Sequence, residues 1–132
     1  MIKDIYLLVG GEATRLRPLS EGIPKALLTI KGKLLIDLIL ENLVKSNIEN
    51  INLVCSIKHE NFWLEYKKNS GFNVNLHFEH EKLDTAGFVV QNINNFSDKF
   101  LCMNGDLLIE MNFNSFLEVA NNSKNSTICS IP

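Results

Sequence analysis

The feature that most constrains this sequence is a short apolar run that ends in two glycines. The run occupies residues 5–9, and Gly10 and Gly11 follow it directly. A run of this length, partly β-branched and closed by glycines, predicts a buried parallel strand rather than a helix. Two glycines at the end of a strand allow backbone angles that other residues avoid and let a ligand approach the main chain closely.

The residues that follow the glycines carry groups suited to phosphate. Thr14 supplies a hydroxyl, and Arg15 and Arg17 supply two guanidinium groups. A guanidinium binds two phosphate oxygens at once, which an ammonium group cannot do. The stretch lacks the Gly-Lys-Ser/Thr ending of a P-loop and the third glycine of the dinucleotide-binding fingerprint. It therefore predicts a polyphosphate-binding loop of another kind.

The same stretch resembles the signature of the sugar-phosphate nucleotidyltransferases, Gly-Gly-x-Gly-Thr-Arg-Leu-x-Pro-Leu-Thr/Ser. A second family signature, Pro-Lys followed by an apolar segment, is matched by Pro24 and Lys25. The departure is Ala13, which replaces a glycine and places a methyl group where the backbone would meet the nucleotide. The positions that match the first signature are Gly10, Gly11, Thr14, Arg15, Leu16, Pro18, Leu19 and Ser20.

The rest of the chain alternates helical and strand patterns. Apolar residues at helical spacing predict helices at 34–46, 59–68, 85–93 and 113–120. Asp84 or Leu83 is expected near the start of the third helix, and Asp84 is a residue type that favours the N-cap position. Apolar runs predict further strands at 51–55, 74–78, 100–103 and 127–131. This alternation indicates one α/β domain over residues 1–132, with a largely parallel sheet and helices on both faces. The resemblance implies the same class, a Rossmann-like three-layer α/β/α sandwich of the nucleotide-diphospho-sugar transferase type.

Polar residues at the end of the strand predicted at 100–103 point to a metal site. Asn104, Gly105 and Asp106 follow that strand, and ligands of such folds bind beyond the carboxyl ends of the strands. Mg²⁺ accepts carboxylate and phosphate oxygens together, often with only one or two protein carboxylates. Family members carry Gly-Asp after this strand and hold the catalytic metal on the Asp. The resemblance therefore implies Mg²⁺ on Asp106.

The segment at 79–87 resembles the family's Glu/Gln-x-x-Pro-Leu-Gly-Thr-Ala-Gly, with Lys82 in place of proline and Asp84 in place of glycine. The first residue of this segment contacts the base in the family, and here it is Glu79. A carboxylate only accepts hydrogen bonds, and guanine offers two adjacent donors, so Glu79 favours guanine. The resemblance agrees, since members with Glu here are often guanylyltransferases, such as those of mannose or heptose 1-phosphate. A slip in the alignment would exchange Glu79 and Glu81.

The resemblance implies an enzyme that converts a nucleoside triphosphate, with GTP favoured, and a sugar 1-phosphate into a nucleotide-sugar and pyrophosphate. Arg15 would hold the departing pyrophosphate, and Lys25 would neutralise the α-phosphate during in-line displacement. The residues expected to contact the nucleotide are Leu8, Gly10, Gly11, Glu12, Ala13, Thr14, Glu79, Thr85, Ala86, Gly87 and Asn104.

Composition excludes several other classes of partner. The net charge of −2 gives no electrostatic case for binding nucleic acid or an anionic membrane. No apolar stretch approaches the roughly 20 residues of a membrane-spanning helix. The three cysteines lie in apolar runs and form no CxxC, which predicts buried reduced thiols and a cytoplasmic protein. The three histidines show no metal-ligand spacing and are given no chemical role, and His77 is expected to face the surface.

Three hypotheses stay open at this point. The first is a guanylyltransferase or a piece of one. The second is an enzyme of the same fold with another base, such as a uridylyl-, thymidylyl- or cytidylyltransferase. The third is a non-catalytic nucleotide-binding or regulatory module. Family members are usually longer and carry sugar-binding residues in their later half. We therefore expect residues 1–132 to hold the nucleotide half, with a homo-oligomer or a partner supplying the other.

Overall fold

The computed structural model describes residues 1–12 and 22–130, with the backbone alone at Thr85. Within these residues the strands are β1 (Asp4–Leu8), β2 (Thr29–Ile30), β3 (Lys33–Leu34), β4 (Asn50–Ser56), β5 (Val74–Glu79) and β6 (Leu101–Asn104). The helices are α1 (Leu35–Leu43), α2 (Glu60–Asn69), α3 (Asp84–Asn92) and α4 (Phe113–Asn122). Short 3-10 turns occupy Lys25–Leu27, Ile57–His59 and Ile93–Asn95. None of the helices in these residues is both long and apolar enough to cross a membrane.

The central sheet of the described residues has four parallel strands in the order β5-β4-β1-β6. In register, Leu8 of β1 lies between Val54 of β4 and Asn104 of β6. β4 and β5 lie on one side of β1 and β6 lies on the other, while β2 and β3 form a separate antiparallel pair. The strand order therefore reverses beside β1. Open parallel sheets bind their ligands at such a reversal, beyond the carboxyl ends of the strands.

One face of the sheet is covered by α1 and α2. The inward residues Ile5 and Leu7 of β1 are fully buried and belong to one core cluster with Ile36 of α1 and Trp63 of α2. The helix predicted at 34–46 ends at Leu43, because the Ser46 hydroxyl donates to the Leu43 carbonyl at 2.6 Å. A side chain that bonds the backbone in this way competes with the next helical hydrogen bond.

The opposite face is covered by α3 and an aromatic cluster. Tyr6 points away from the main core and contacts Phe88 of α3 as well as Phe96 and Phe100. Alternation along β1 sends neighbouring side chains to opposite faces, so Tyr6 needs this second layer. The predicted α/β/α sandwich with a parallel sheet is thereby confirmed.

Two sequence predictions are wrong. Residues 127–130, the described part of the strand predicted at 127–131, form no strand, and Ile128 is 86% exposed. Among the cysteines, which are all free, Cys55 is buried as expected but Cys129 is exposed, because it lies in this unpaired segment. Of the two residues expected near the start of α3, Leu83 takes the N-cap position without a side-chain hydrogen bond, and Asp84 is the first residue of the helix.

Candidate nucleotide-binding site

A cleft of about 720 Å³ opens at the carboxyl ends of the parallel strands. It brings together segments that are far apart in sequence, from the ends of β1, β4, β5 and β6 and from the turn that begins at Lys25. The sequence-predicted site residues that line it are Leu8, Gly10, Gly11, Glu12, Lys25, Glu79, Asn104 and Asp106.

The remaining predicted site residues are placed differently. Ala13, Thr14 and Arg15 lie outside the described residues. Ala86 and Gly87 lie in the first turn of α3 with Thr85, and the structure does not place Ala86 and Gly87 among the residues that line the cleft.

Close contact between β1 and the turn after β6 fixes one wall of the cleft. The Gly105 amide donates to the Leu8 carbonyl at 2.9 Å. A Cβ on Gly105 would lie 2.3 Å from Cγ1 of Val9 and 3.2 Å from the Leu8 carbonyl oxygen. Because no side chain fits there, glycine allows the backbone to approach β1 and brings the next residue, Asp106, to the cleft.

The Pro24–Lys25 segment packs against residues 10–12, the described part of the glycine loop. The Lys25 amide donates to the Gly11 carbonyl at 3.0 Å, and Pro24 forms a β-bridge with Glu12. The side chain of Lys25 then reaches Asp106, with 3.0 Å between Nζ and Oδ2. The two side chains are 43% and 39% exposed, so this ion pair adds little to stability. It shows instead that a cation and a carboxylate converge where the phosphates are expected.

Asp106 is the residue in this cleft that could hold a divalent cation. Within residues 1–12 and 22–130, no three His, Cys, Asp or Glu side chains cluster closely enough to bind a metal by themselves. A half-exposed single carboxylate beside the glycine loop fits Mg²⁺, which commonly completes its coordination with water and ligand phosphates. It does not fit a metal that demands an all-protein cage.

Glu79 sits at the carboxyl end of β5 with one carboxylate oxygen shielded from water. Oε1 of Glu79 is buried and has no hydrogen-bond partner among the described residues. Burial raises the pKa of the Glu79 carboxyl above its ordinary value of 4.5, and the negative charge of Asp84 raises this pKa further. A buried polar atom without a partner is uncommon in folded proteins, so a ligand donor is the natural complement to this oxygen.

Asp84 preserves a backbone conformation that glycine usually supplies. Its φ angle is +56°, in the left-handed region that most residues avoid and that Asp tolerates better than most. This is the position at which the resembled family has glycine, so the turn keeps its shape although its chemistry changes. The Asp84 side chain is 79% exposed, lies 4.0 Å from Nζ of Lys82, and lines the cleft near Glu79.

Sequence reasoning gave no role to Ser56 and Lys58, which line the cleft, or to His59 beside them. His59, which follows β4, is 4% exposed, and its Nε2 lies 3.1 Å from Oε1 of Glu12 in the glycine loop. The two residues are far apart in the chain, so their spacing gives no signal. The one signal available was that His59 follows a strand end, as Gly10, Glu79 and Asp106 do.

Comparison with known proteins places most of the chain in one family. A family model described as nucleotidyl transferase matches residues 5–132. A putative mannose-1-phosphate guanyltransferase of Sulfolobus acidocaldarius is 36% identical over 116 residues, which cover 85% of this chain and 32% of the relative. A bifunctional protein GlmU of Methanococcus maripaludis is 34% identical over 122 residues, which cover 89% of this chain and 28% of the relative. The chain therefore spans less than a third of the length of these curated relatives.

Among solved structures, HddC from Yersinia pseudotuberculosis, crystallised in complex with GMP-PN, shares the fold. The two chains superpose with a TM-score of 0.77 at 29% identity, and the match covers 92% of this chain and 55% of that chain.

Proposed function

Because the chain belongs to the nucleotidyl transferase family, we propose that its cleft binds a nucleoside triphosphate, preferably GTP, for transfer of the nucleotidyl group to a sugar 1-phosphate. The reaction balances without an enzyme-bound intermediate. A phosphate oxygen of the sugar 1-phosphate attacks the α-phosphorus and forms a new phosphorus–oxygen bond. The bond from the α-phosphorus to the oxygen that bridges to the β-phosphate breaks, and pyrophosphate leaves with that electron pair.

Arg15, assigned from the motif, and the residues of the cleft would hold the substrates in position and stabilise the negative charge of the phosphates. Arg15 and the amides of the glycine loop hold the departing pyrophosphate, and Lys25 exchanges Asp106 for an oxygen of the α-phosphate. Mg²⁺, held by Asp106 and phosphate oxygens, would supply further positive charge when bound. Preorganised charge of this kind carries most of the catalysis in phosphoryl-transfer enzymes.

The observation that carries the base preference is the buried, unpartnered Oε1 of Glu79. Guanine presents N1–H and an exocyclic amino group side by side, and one carboxylate accepts from both. Uracil and thymine present a single N–H between two carbonyl groups. The carbonyl oxygens carry partial negative charge and would repel the carboxylate. A site whose polar groups hydrogen-bond one base discriminates against other bases, because binding them leaves those groups without partners. The names of the Sulfolobus relative and of the HddC complex support the same base.

Competition titrations test this preference directly. We expect the chain to bind GTP at least tenfold more tightly than UTP, dTTP or CTP, a difference of about 1.4 kcal/mol. Glu79→Gln should narrow the gap, because an amide offers a donor as well as an acceptor. Glu81→Gln, the same change two residues along on the same cleft wall, is the matched control and should keep the preference. A parent that prefers UTP or dTTP, or a preference lost only in Glu81→Gln, would show that the base or the carboxylate is wrong.

A second measurement separates an enzyme from a binding module. Pyrophosphate release is followed with GTP, Mg²⁺ and a panel of sugar 1-phosphates, and the oligomeric state is measured on the same sample. Release that depends on one sugar phosphate supports the transferase. GTP binding without release supports a nucleotide-binding module that needs a second copy or a partner. The free cysteines favour a reducing compartment, so we place this activity in the cytoplasm.

A further inference from the structure

The residue that ends β4 lies between Glu79 and the glycine loop. Ser56 pairs in register with Glu79, the last residue of β5, so the two side chains leave neighbouring strands on the same face of the sheet. On its other side Ser56 approaches Gly10, where an added Cβ would lie 3.6 Å from the Ser56 amide nitrogen and 4.0 Å from its Cβ. Ser56 and Glu79 both line the cleft, so a base that reaches Glu79 also passes Ser56.

The hydroxyl of Ser56 keeps its proton available for a ligand. Oγ of Ser56 accepts from the Lys58 amide at 3.3 Å, a bond that caps the 3-10 turn after β4. A hydroxyl group has one donor and two acceptor sites, and this bond uses an acceptor site. Among the described residues it is the one side-chain bond that Ser56 makes. The turn therefore orients the hydroxyl group without consuming its donor.

The edge of guanine that suits a carboxylate ends in an acceptor. The exocyclic amino group and N1–H donate side by side, and O6, which follows N1–H along the same edge, only accepts. Glu79 can pair with both donors, but a carboxylate has no proton to give to O6. We propose that Ser56 is a specificity-determining residue whose hydroxyl donates to O6 of guanine, so that Glu79 and Ser56 together complement the whole edge. This inference rests on the proposed function, since it assumes that Glu79 binds guanine.

Two analogues of GTP test the two residues separately. 6-thio-GTP keeps both donors of guanine and replaces O6 with sulfur, a weak acceptor, whereas inosine triphosphate keeps O6 and N1–H and lacks the amino group. We expect the parent to bind GTP about fivefold more tightly than 6-thio-GTP, the effect of one neutral hydrogen bond. Ser56→Ala should bind the two about equally and keep the parent's preference for GTP over inosine triphosphate. Glu79→Gln should reduce that second preference.

The controls separate the hydroxyl proton from the turn that Ser56 caps. Ser56→Thr keeps the hydroxyl and should keep the parent's preference for GTP over 6-thio-GTP. Ser70→Ala is the matched control, because the Ser70 hydroxyl also accepts from the amide two residues along, that of Phe72 at 3.1 Å. Ser70 is not among the described residues that line the cleft. If Ser56→Ala does not fold, Ser56→Gly carries the same comparison, because cap positions tolerate glycine.

The ratio of GTP to 6-thio-GTP affinity decides the proposal. A disturbed turn would weaken both nucleotides alike, so a Ser56→Ala variant that keeps the parent's ratio overturns the proposal, and so does a Ser56→Thr variant that loses it. A GTP preference that depends on Glu79 but not on Ser56 overturns this inference alone. A parent that does not bind GTP, or that prefers a pyrimidine nucleotide, overturns the proposed function and this inference with it.

Discussion

The two ends of the cleft differ in how their charges are paired. At the phosphate end, formed by Gly10, Gly11, Lys25 and Asp106, a half-exposed cation and carboxylate already neutralise each other. At the base end, formed by residues 79–84, the Glu79 carboxylate is partly buried, has an unpartnered oxygen and lies near a second negative charge on Asp84. Under the proposed function, the phosphate end would exchange the Lys25–Asp106 ion pair for contacts with the ligand. The base end would gain the hydrogen-bond partner that Oε1 of Glu79 lacks among the described residues.

This difference assigns different tasks to the two ends. Exchanging an exposed ion pair for a phosphate is governed by charge, so the phosphate end should set affinity and metal dependence without selecting a base. An unpartnered buried acceptor penalises every ligand that cannot donate to it, so the base end should set specificity. The predictions below change one end at a time, in order of expected effect.

Gly105→Ala should damage the phosphate end most. The added methyl would meet Cγ1 of Val9, a buried and stiff side chain, at 2.3 Å. Forcing a methyl group into a packed contact costs typically about 1–3 kcal/mol, so chemical denaturation should show a loss of this size. Gly71→Ala is the control, since a Cβ there meets nothing within 4 Å. Equal stability in the two variants would mean that β6 does not need a close approach to β1.

Arg15→Ala should weaken GTP binding at least tenfold, about 1.4 kcal/mol, and leave guanosine binding unchanged. Arg15 lies outside the described residues, so this prediction rests on the motif and on the bidentate chemistry of guanidinium. Calorimetric titration of the folded variant measures it, with Arg17→Ala as a neighbour expected to lose less. An unchanged GTP affinity would remove Arg15 from the phosphate end.

Asp106→Asn should abolish the effect of Mg²⁺ on GTP binding. We expect Mg²⁺ to strengthen GTP binding several-fold in the parent and not in the variant, which keeps the side-chain shape and loses its charge. Titrations with and without Mg²⁺ measure the difference, and Asp98→Asn, an exposed carboxylate that does not line the cleft, serves as control. The same Mg²⁺ enhancement in Asp106→Asn and the parent would place the metal elsewhere.

Glu79→Gln should have the smallest effect, a rise in Tm of about 1–2 °C at pH 7. Burial raises the pKa of Glu79 in the folded state, so stability is full below the ordinary value of 4.5 and is partly lost as pH rises towards the folded pKa. Removing the charge should therefore stabilise the protein at pH 7 and have no effect at pH 4. Thermal scans of parent, Glu79→Gln and Glu81→Gln at both pH values decide the matter. If Glu81→Gln also raises Tm at pH 7, the gain comes from the smaller negative charge of the surface and not from the burial of Glu79.

The sequence predicted the sheet and most of the cleft because both depend on local signals. An apolar run followed by a glycine or an acid marks a strand end, and Gly10, Glu79 and Asp106 were each found in this way. The parallel sheet then places all strand ends at one edge, so the cleft follows from strand ends and topology together. The three segments that resemble the family lie at three of these strand ends, and the family that they indicated is the one whose model matches the chain.

Contacts between distant segments could not be predicted in the same way. The His59–Glu12 contact depends on how the turn after β4 packs against the glycine loop, and no periodicity encodes that packing. The apolar character of residues 127–131 predicts a strand, but a strand also needs a partner, and sequence alone does not show whether one is within reach. The residue type of Asp84 suits an N-cap, but the sequence does not show that its backbone adopts a positive φ.

The position of β1 between β4 and β6 also has a consequence for the order of folding. Asn52 and His77, bonded neighbours on β4 and β5, are 25 residues apart, whereas Lys25 and Asp106 are 81 residues apart. Closing the longer loop costs about 1 kcal/mol more in chain entropy, so the β4–α2–β5 unit should assemble first and β6 should dock last. In φ-value measurements, Val74→Ala should then give higher values than Leu101→Ala. The edge of the cleft that carries Glu79 would thus exist in the folding transition state before the chain has brought Lys25 and Asp106 together.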